Sequence, residues 1–305
     1  MAVQLTVCII TYNHQQYITQ ALNSVLMQKV NFSWEILIAD DCSTDATTSI
    51  INEYQQKHPH LIKILPRTHN LGGGKNFVDL INSATGTYIA YLEGDDYWLN
   101  ENKLQIQYDY MQANPSFSMC YHQINWADEK TLVIDHVRNI SNQNDEPITT
   151  LDSIVKNGWS IKSCTMFFKN IKLNSDFVNL FIGDYPLHVL LAKQGNIGFI
   201  KKVLGVYRVN YSGYSETQLK STSIEKLKKL FRGNLYLNDY LNKITDFVYS
   251  DIFCKRKTNA AIIHLKTLGF KNFKYIPKEF LVAVNNIGFF NFLKFSIKQF
   301  VSKEK

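Results

Sequence analysis

The feature that most narrows what this chain can fold into is a unit that repeats along its first 98 residues. A short apolar run ends in a polar cluster, and apolar residues at helical spacing follow. Residues 5–10 form a β-branched run that gives way to Thr11, Tyr12, Asn13 and His14. Residues 17–27 then carry Tyr17, Ile18, Ala21, Leu22, Val25 and Leu26 on one helical face. Residues 34–39 repeat the strand pattern and stop at Asp40 and Asp41. A helix is expected over 46–56, with Ser43 or Thr44 as its cap and Asp45 near its positive end. A third strand is expected over 61–65, a turn-rich tract over 70–76 and a short helix over 77–83; the fourth strand, 88–92, runs into Glu93-Gly94-Asp95-Asp96. Strand and helix alternating in this way predict a parallel α/β sheet with right-handed crossovers.

Consecutive βαβ units point their strand ends the same way, so the polar clusters at Thr11–Asn13, Asp40–Asp41 and Glu93–Asp96 are expected on one edge and describe a crevice. Three carboxylates within four positions repel each other unless a cation sits among them. Oxygen donors without His or Cys partners suit a hard divalent ion, Mg²⁺ or Mn²⁺, that bridges phosphates. The bland alternative is a solvated acidic turn, and what weighs against it is the position at a strand's carboxyl end. The Gly72-Gly73-Gly74-Lys75-Asn76 tract has neither the phosphate-loop nor the dinucleotide spacing. It reads equally as a flexible turn or as a backbone cradle for a diphosphate, in which Gly73, Lys75 and Asn76 would take part.

Composition excludes several classes. The 305 residues are 45% hydrophobic and hold five scattered cysteines, so neither a disulfide framework nor a clustered zinc site is expected. No apolar run approaches the ~18 residues of a membrane span, and the amino end carries no cleavable apolar segment, so the cytoplasm is the expected compartment. The net charge of +7 is uneven: residues 220–305 carry 17 Lys or Arg against 6 acids, and the remainder 16 against 20. Catalytic acids belong in the acidic part, and the basic part needs its own explanation.

With those motifs in place, the chain resembles the inverting family 2 glycosyltransferases. The resemblance rests on Cys8-Ile9-Ile10-Thr11-Tyr12-Asn13-His14, on Ile38-Ala39-Asp40-Asp41-Cys42-Ser43-Thr44-Asp45, and on Ala84-Thr85-Gly86-Thr87-Tyr88 through Asp96, in that order and spacing. It implies a GT-A fold, a Rossmann-like mixed α/β sheet flanked by helices, here with a helical basic C-terminal extension. It also implies that Thr11, Tyr12 and Asp41 hold a nucleoside, most often uridine, with Asp41 accepting from the base. Asn13, Asp40, Gly73, Lys75 and Asn76 would line the same nucleotide-sugar site. Glu93, Asp95 and Asp96 would form the family's DxD-type motif, with Glu93 and Asp95 at the nucleotide-sugar and Asp95 and Asp96 on Mn²⁺ or Mg²⁺. In this chain Glu93 stands where many members have the first Asp.

The second half is read as strand 117–122 after a helix over 102–113, a loop over 135–147, a strand over 164–168, and a helix from Asp184 through Ala192. An inverting transfer needs a carboxylate to take the acceptor's proton. Asp184, exposed at a helix start, is the candidate, with a simple helix cap as the alternative; the family places its base before such an apolar helix. Arg208, in the Tyr207-Arg208 pair that also resembles the family, would face a phosphate or pair with a structural carboxylate. His188 is expected to be a core or surface histidine. Domains are expected at 1–219, with a nucleotide-sugar half 1–98 and an acceptor half 99–219, and at 220–305. The aromatic band at 280–298 with flanking lysines suits an anionic membrane surface, on the inner face of the cell membrane, or packing on the catalytic domain. No nucleic-acid motif accompanies the basic end. The expected activity is transfer of a sugar from a UDP-sugar to a glycan or lipid-linked acceptor in bacterial surface polysaccharide synthesis. A silent glycan- or membrane-binding subunit and a sugar nucleotidyltransferase are the rival readings.

Overall fold

The computed structural model describes residues 2–128, 134–135, 148–158, 161–180, 183–209 and 224–268. Most of the loop expected over 135–147 and the whole aromatic band at 280–298 lie outside them. The chain divides into two compact units, residues 1–213 and 214–305.

In the first unit the elements run β1 (Leu5–Thr11), α1 (Ile18–Leu26), β2 (Trp34–Asp40), α2 (Thr47–Lys57), β3 (Ile62–Ile64), α3 (Gly73–Ser83) and β4 (Tyr88–Glu93). There follow β5 (Tyr97–Trp98), α4 (Lys103–Ala113), β6 (Phe117–Asp128), β7 (Ile134–Asp135), β8 (Ile148–Thr149), α5 (Leu151–Asn157), β9 (Phe167–Lys169), α6 (Ser175–Val178), α7 (Asp184–Gln194) and β10 (Asn196–Val209). The ten strands make one sheet in the order β3-β2-β1-β4-β9-β6-β10-β5, with β7 beside β6 and β8 beside β10. β1 to β4 pair in parallel, as the alternation predicts. β9 enters antiparallel between β4 and β6, and β6 and β10 run parallel. The sheet is therefore mixed, as the resemblance implied.

Val7, Ile9, Ile36, Ile38, Ala90 and Leu92 are fully buried on one face and Thr6, Cys8 and Ile89 on the other, because both faces of these strands carry cover. α1 buries Ile18, Ala21, Leu22 and Val25 on one stripe. Where β1 and β4 diverge, Gly86 sits so close that a Cβ would come within 2.5 Å of the Thr6 nitrogen. Only glycine fits there.

Local structure departs from expectation at particular places. α2 begins at Thr47 and neither Ser43 nor Thr44 caps it; Ser43 gives its hydroxyl to Asp40, and Asp45 Oδ1 accepts the Thr47 N–H at 2.9 Å. α3 begins at Gly73, so the glycine tract is its first turn, with Gly72 at φ 80° bending the chain into it. The strand expected over 164–168 is a 3-10 turn, Ser163–Thr165, followed by the short β9. That turn packs against β4, and its Ser163 hydroxyl donates to Glu93.

In the second unit, two helices, Ile224–Ile244 and Ser250–Leu268, realise the helical pattern expected beyond residue 220. Among the described residues no helix is long and apolar enough to cross a membrane.

Candidate active site

Strand register brings the polar clusters together. Thr11 lies opposite Asp40 across β1 and β2, and Ile10 lies opposite Glu93 across β1 and β4. Three strand ends therefore share one edge of the sheet.

The loops after β1 and β2 are laced to each other. Thr44 donates its N–H to Asn13 Oδ1 at 2.8 Å, Asn13 donates to Ser43 Oγ at 2.9 Å, and Gln15 donates to Asp45 Oδ2 at 3.1 Å. Asn13 and Cys42 both hold positive φ, 55° and 58°. Such backbone conformations are sparsely populated away from glycine and concentrate where a loop must be held in one shape. Tyr12 stands out from this lacing, 44% exposed. Thr11 is buried, and its Oγ1 lies 3.1 Å from His14 Nδ1.

The two aspartates after β2 are inward anchors. Asp40 accepts the Ser43 and Thr48 hydroxyls. Asp41, 4% exposed, accepts the N–H groups of Leu71 and Gly72 at 2.7 and 2.9 Å, so its carboxylate holds the loop that leads into α3. Gly73 and Lys75 lie exposed on that first turn. Asn76 does not fulfil its expectation: wholly buried, it donates to the Ala39 carbonyl at 3.0 Å and accepts from Arg67 Nε at 2.9 Å, tying α3 to β2. At the end of the helical first turn its side chain points back towards β2.

The acidic turn after β4 has two sides. Gly94 permits a close approach, because a Cβ there would meet Thr11 Oγ1 at 2.6 Å and His14 Nδ1 at 2.8 Å. Asp95 faces His14, with Nε2 and Oδ2 3.9 Å apart. Asp96 turns inward, 2% exposed, and accepts the Arg208 main-chain N–H at 2.7 Å. The Arg208 guanidinium donates to the Asp95 carbonyl at 2.8 Å and to Gln20 Oε1 at 2.7 Å, between the rings of Tyr17 and Tyr97. It clamps the turn's main chain. Glu93 Oε1 accepts the Ser163 hydroxyl at 2.5 Å.

Burial, countered by Ser163 and reinforced by Asp95 and Asp184, pushes the Glu93 carboxyl up to about 8. Burial, reinforced by the charges of Asp95 and Glu93, raises Asp96 well above the usual carboxylate range, while the Arg208 N–H and the Cys164 thiol pull the other way. Glu93 Oε2 is buried with no hydrogen-bond partner, whereas the Asp96 carboxyl has the Arg208 N–H and the Cys164 thiol. An unpaired buried oxygen among mutually repelling carboxyls is what a bound cation would relieve. Among the described residues no three His, Cys, Asp or Glu side chains form a cage for a metal. The set fits an ion held by one or two carboxylates that takes its remaining ligands from water and phosphate, as Mg²⁺ and Mn²⁺ do.

Asp184 opens α7 and accepts the Tyr185 N–H at 2.9 Å. It is half-buried, less open than a bare helix start suggests, and burial raises it above the usual carboxylate range, while the Tyr185 N–H and the Lys162 charge pull it back. Lys162 lies over the rings of Trp126 and Tyr207, 4.9 and 4.5 Å from their centres. His188 is a core residue: fully buried, 3.1 Å from Met166 Sδ, and held down to about 3 by burial. Sequence reading passed over Lys162, Ser163 and Gln20, and gave His14 no role beyond its place in the first motif. Ser163 meets a carboxylate 70 residues away and Gln20 an arginine 188 residues away, separations that no local pattern encodes.

The family model for glycosyl transferase family 2 matches residues 6–171. An uncharacterized protein of Mycobacterium tuberculosis is 31% identical over 209 residues, 68% of this chain and 60% of its own length. The chain thus spans about 60% of the length of that curated relative. TuaG of Bacillus subtilis, named for teichuronic acid biosynthesis, is 36% identical over 101 residues, 33% of this chain and 39% of its own. Among solved structures, Staphylococcus aureus TarS 1–349 in complex with UDP superposes with TM-score 0.58 at 18% identity, covering 99% of this chain and 92% of that one. The mannosyltransferase PcManGT of Pyrobaculum calidifontis, in complex with GDP-Man and Mn²⁺, gives 0.51 at 14% identity, covering 94% and 80%. The family model spans more than half of the chain and takes in all three strand-end clusters, so the chain belongs to glycosyl transferase family 2.

Proposed function

We propose that this protein is a metal-dependent inverting glycosyltransferase that moves a sugar from a nucleotide-sugar, a UDP-sugar first among them, to a glycan or lipid-linked acceptor. The observation that carries the reading is the acidic turn: a strand-end Glu93-Gly94-Asp95 with unpaired buried oxygen, in electrostatic reach of a second carboxyl at Asp184. UDP is favoured because it is the ligand named for TarS, and Mn²⁺ is named for PcManGT.

In this reading Tyr12 stacks on the base, and Asp41 keeps the Leu71–Gly72 loop in place around it. The first turn of α3, with Gly73 N–H and the Lys75 ammonium, faces the diphosphate. Asp95 would hold the cation, and Asp96 with Arg208 fixes the turn from behind. The cation, when bound, neutralises charge growing on the departing diphosphate. The acceptor oxygen attacks the anomeric carbon opposite the leaving group. Asp184 takes the acceptor's proton, the C–O bond to phosphate breaks, and the bonding pair leaves with the nucleoside diphosphate. The anomeric configuration inverts. A bacterial surface polysaccharide is the acceptor class, and the basic end beyond residue 220 would bring the enzyme to an anionic membrane surface on the cytoplasmic face, where lipid-linked acceptors lie.

A donor screen tests this. Purified protein with Mn²⁺ is offered UDP-, GDP- and dTDP-sugars, with release of free nucleotide as the readout. Turnover of one sugar nucleotide, abolished by chelator, supports the reading. No turnover and no nucleotide-dependent thermal shift with any donor would favour a silent binding subunit.

A further inference from the structure

We propose that His14 is a positioning residue for Asp95, held by Thr11, and that this Thr11–His14–Asp95 chain sets how tightly the site takes a divalent cation alongside a nucleoside diphosphate. The inference rests on the metal-assisted reading above.

His14 is fixed at every point except its ring. Its N–H donates to Thr47 Oγ1 at 2.8 Å, and its carbonyl accepts the N–H groups of Tyr17 and Ile18 at 2.9 and 2.8 Å, where α1 starts. The ring then lies between two partners. Nδ1 is 3.1 Å from the buried Thr11 hydroxyl, and Nε2 is 3.9 Å from Asp95 Oδ2, with the two side chains 18% and 17% exposed. Gly94 closes the arrangement, since any side chain there would displace both Thr11 and His14.

The carboxylate chooses the ring's orientation of charge. If Nδ1 carried the only proton and donated to Thr11, the Nε2 lone pair would face the Asp95 carboxylate. With the Thr11 hydroxyl donating to Nδ1, Nε2–H faces Asp95 instead. A gap of 3.9 Å is longer than a hydrogen bond, and contacts of this kind in ligand-free sites tighten when ligand binds. Carboxylates that hold metals are themselves hydrogen-bonded, and loss of such an outer partner costs about 10- to 100-fold in metal affinity.

The test is calorimetric titration of Mn²⁺ into the full chain saturated with UDP, beside UDP titrated without metal, for wild type, His14→Ala and Thr11→Val. The expected result is Mn²⁺ affinity about 10- to 100-fold weaker in His14→Ala, with metal-free UDP affinity and melting temperature unchanged. Thr11→Val, which keeps the ring and removes its anchor, is expected to show a smaller loss in the same direction and carries the test if His14→Ala does not fold. Wild-type Mn²⁺ affinity in both variants would overturn the proposal and leave the metal-assisted reading standing. An equal loss of metal-free UDP affinity in His14→Ala would overturn it in favour of a loop-shaping role. Absence of Mn²⁺ binding by the wild-type protein would remove the metal reading and this proposal together.

Discussion

The main-chain N–H of Arg208 donates to the carboxylate of Asp96 over 2.7 Å, although the two residues are 112 positions apart. This bond joins β10 to the turn after β4, and it separates the jobs of the two adjacent aspartates. Asp96 is buried and engaged by the Arg208 main chain; the Asp95 side chain faces His14 and keeps 17% of its surface exposed. Asp96→Ala leaves a part-buried N–H without its acceptor and is expected to cost about 1–3 kcal/mol. Asp95→Ala is expected to leave the melting temperature near wild type while abolishing Mn²⁺-dependent nucleotide release. Thermal denaturation and the donor assay on both variants check the division, and equal melting temperatures would refute it.

Gly94 is where the acidic turn and the β1 loop nearly touch. A methyl group there would sit 2.6 Å from Thr11 Oγ1 and 2.8 Å from His14 Nδ1, nearer than any real carbon contact. Gly94→Ala therefore has to move either the turn or the His14 ring. The expected outcome is a loss of about 1–3 kcal/mol, typical of overpacking, and a larger loss of turnover than of stability would suggest. Paired melting and donor-turnover measurements check it; full activity would show that the two loops separate freely.

Much of the fold was legible because the first half of the chain is regular. Runs such as residues 34–39 and 88–92 are buried on both faces and read directly as parallel strands. The polar ends of those strands located the crevice for the same reason. What stayed hidden is long-range. Residues 164–168 have the composition of a strand, but tertiary contacts make a 3-10 turn of their first part, because Ser163 is needed under Glu93 and the Cys164 carbonyl accepts the Trp98 indole N–H at 2.9 Å. Asn76 looked like a ligand contact because a glycine tract precedes it, and its helical position turned it inward. The placement of Asp41 and Arg208 on backbone groups was likewise invisible, since a main-chain partner leaves no mark in the sequence.

Glu35 lies within β2, away from the crevice, and offers a test of stability alone. Its buried carboxylate accepts the Thr6 hydroxyl at 2.8 Å, the Thr85 hydroxyl at 2.5 Å and the Lys63 ammonium at 2.7 Å. Burial raises its pKa, and those three partners outweigh burial, so the folded value lies below the ordinary one. The contribution to stability is therefore present above the unfolded-state pKa of ~4.3 and fades as pH falls through the depressed folded value. Glu35→Gln is expected to cost about 1–3 kcal/mol at neutral pH and to flatten the acid side of the stability curve. Urea unfolding of both proteins between neutral and acid pH checks this, and an unchanged acid slope would refute it.

The pH dependence of transfer is expected to report Asp184. Burial raises its carboxyl, and the Tyr185 N–H and the Lys162 ammonium pull the other way. The base works only when ionised, so kcat/KM with an identified donor and acceptor should fall as pH drops through a value above the usual carboxylate range. Asp184→Asn removes the proton acceptor and is expected to cost on the order of 10²- to 10⁴-fold in transfer rate, with donor binding kept. Lys162→Met removes the cation and keeps an unbranched side chain against Trp126 and Tyr207. It should move the acid limb to higher pH, because the charged form of Asp184 loses its one opposing positive charge among the groups acting on it. Lys162→Arg should leave the limb where it was. A limb unmoved in Lys162→Met, or moved to lower pH, would separate Lys162 from the base, and a limb that survives in Asp184→Asn would assign the proton to another group.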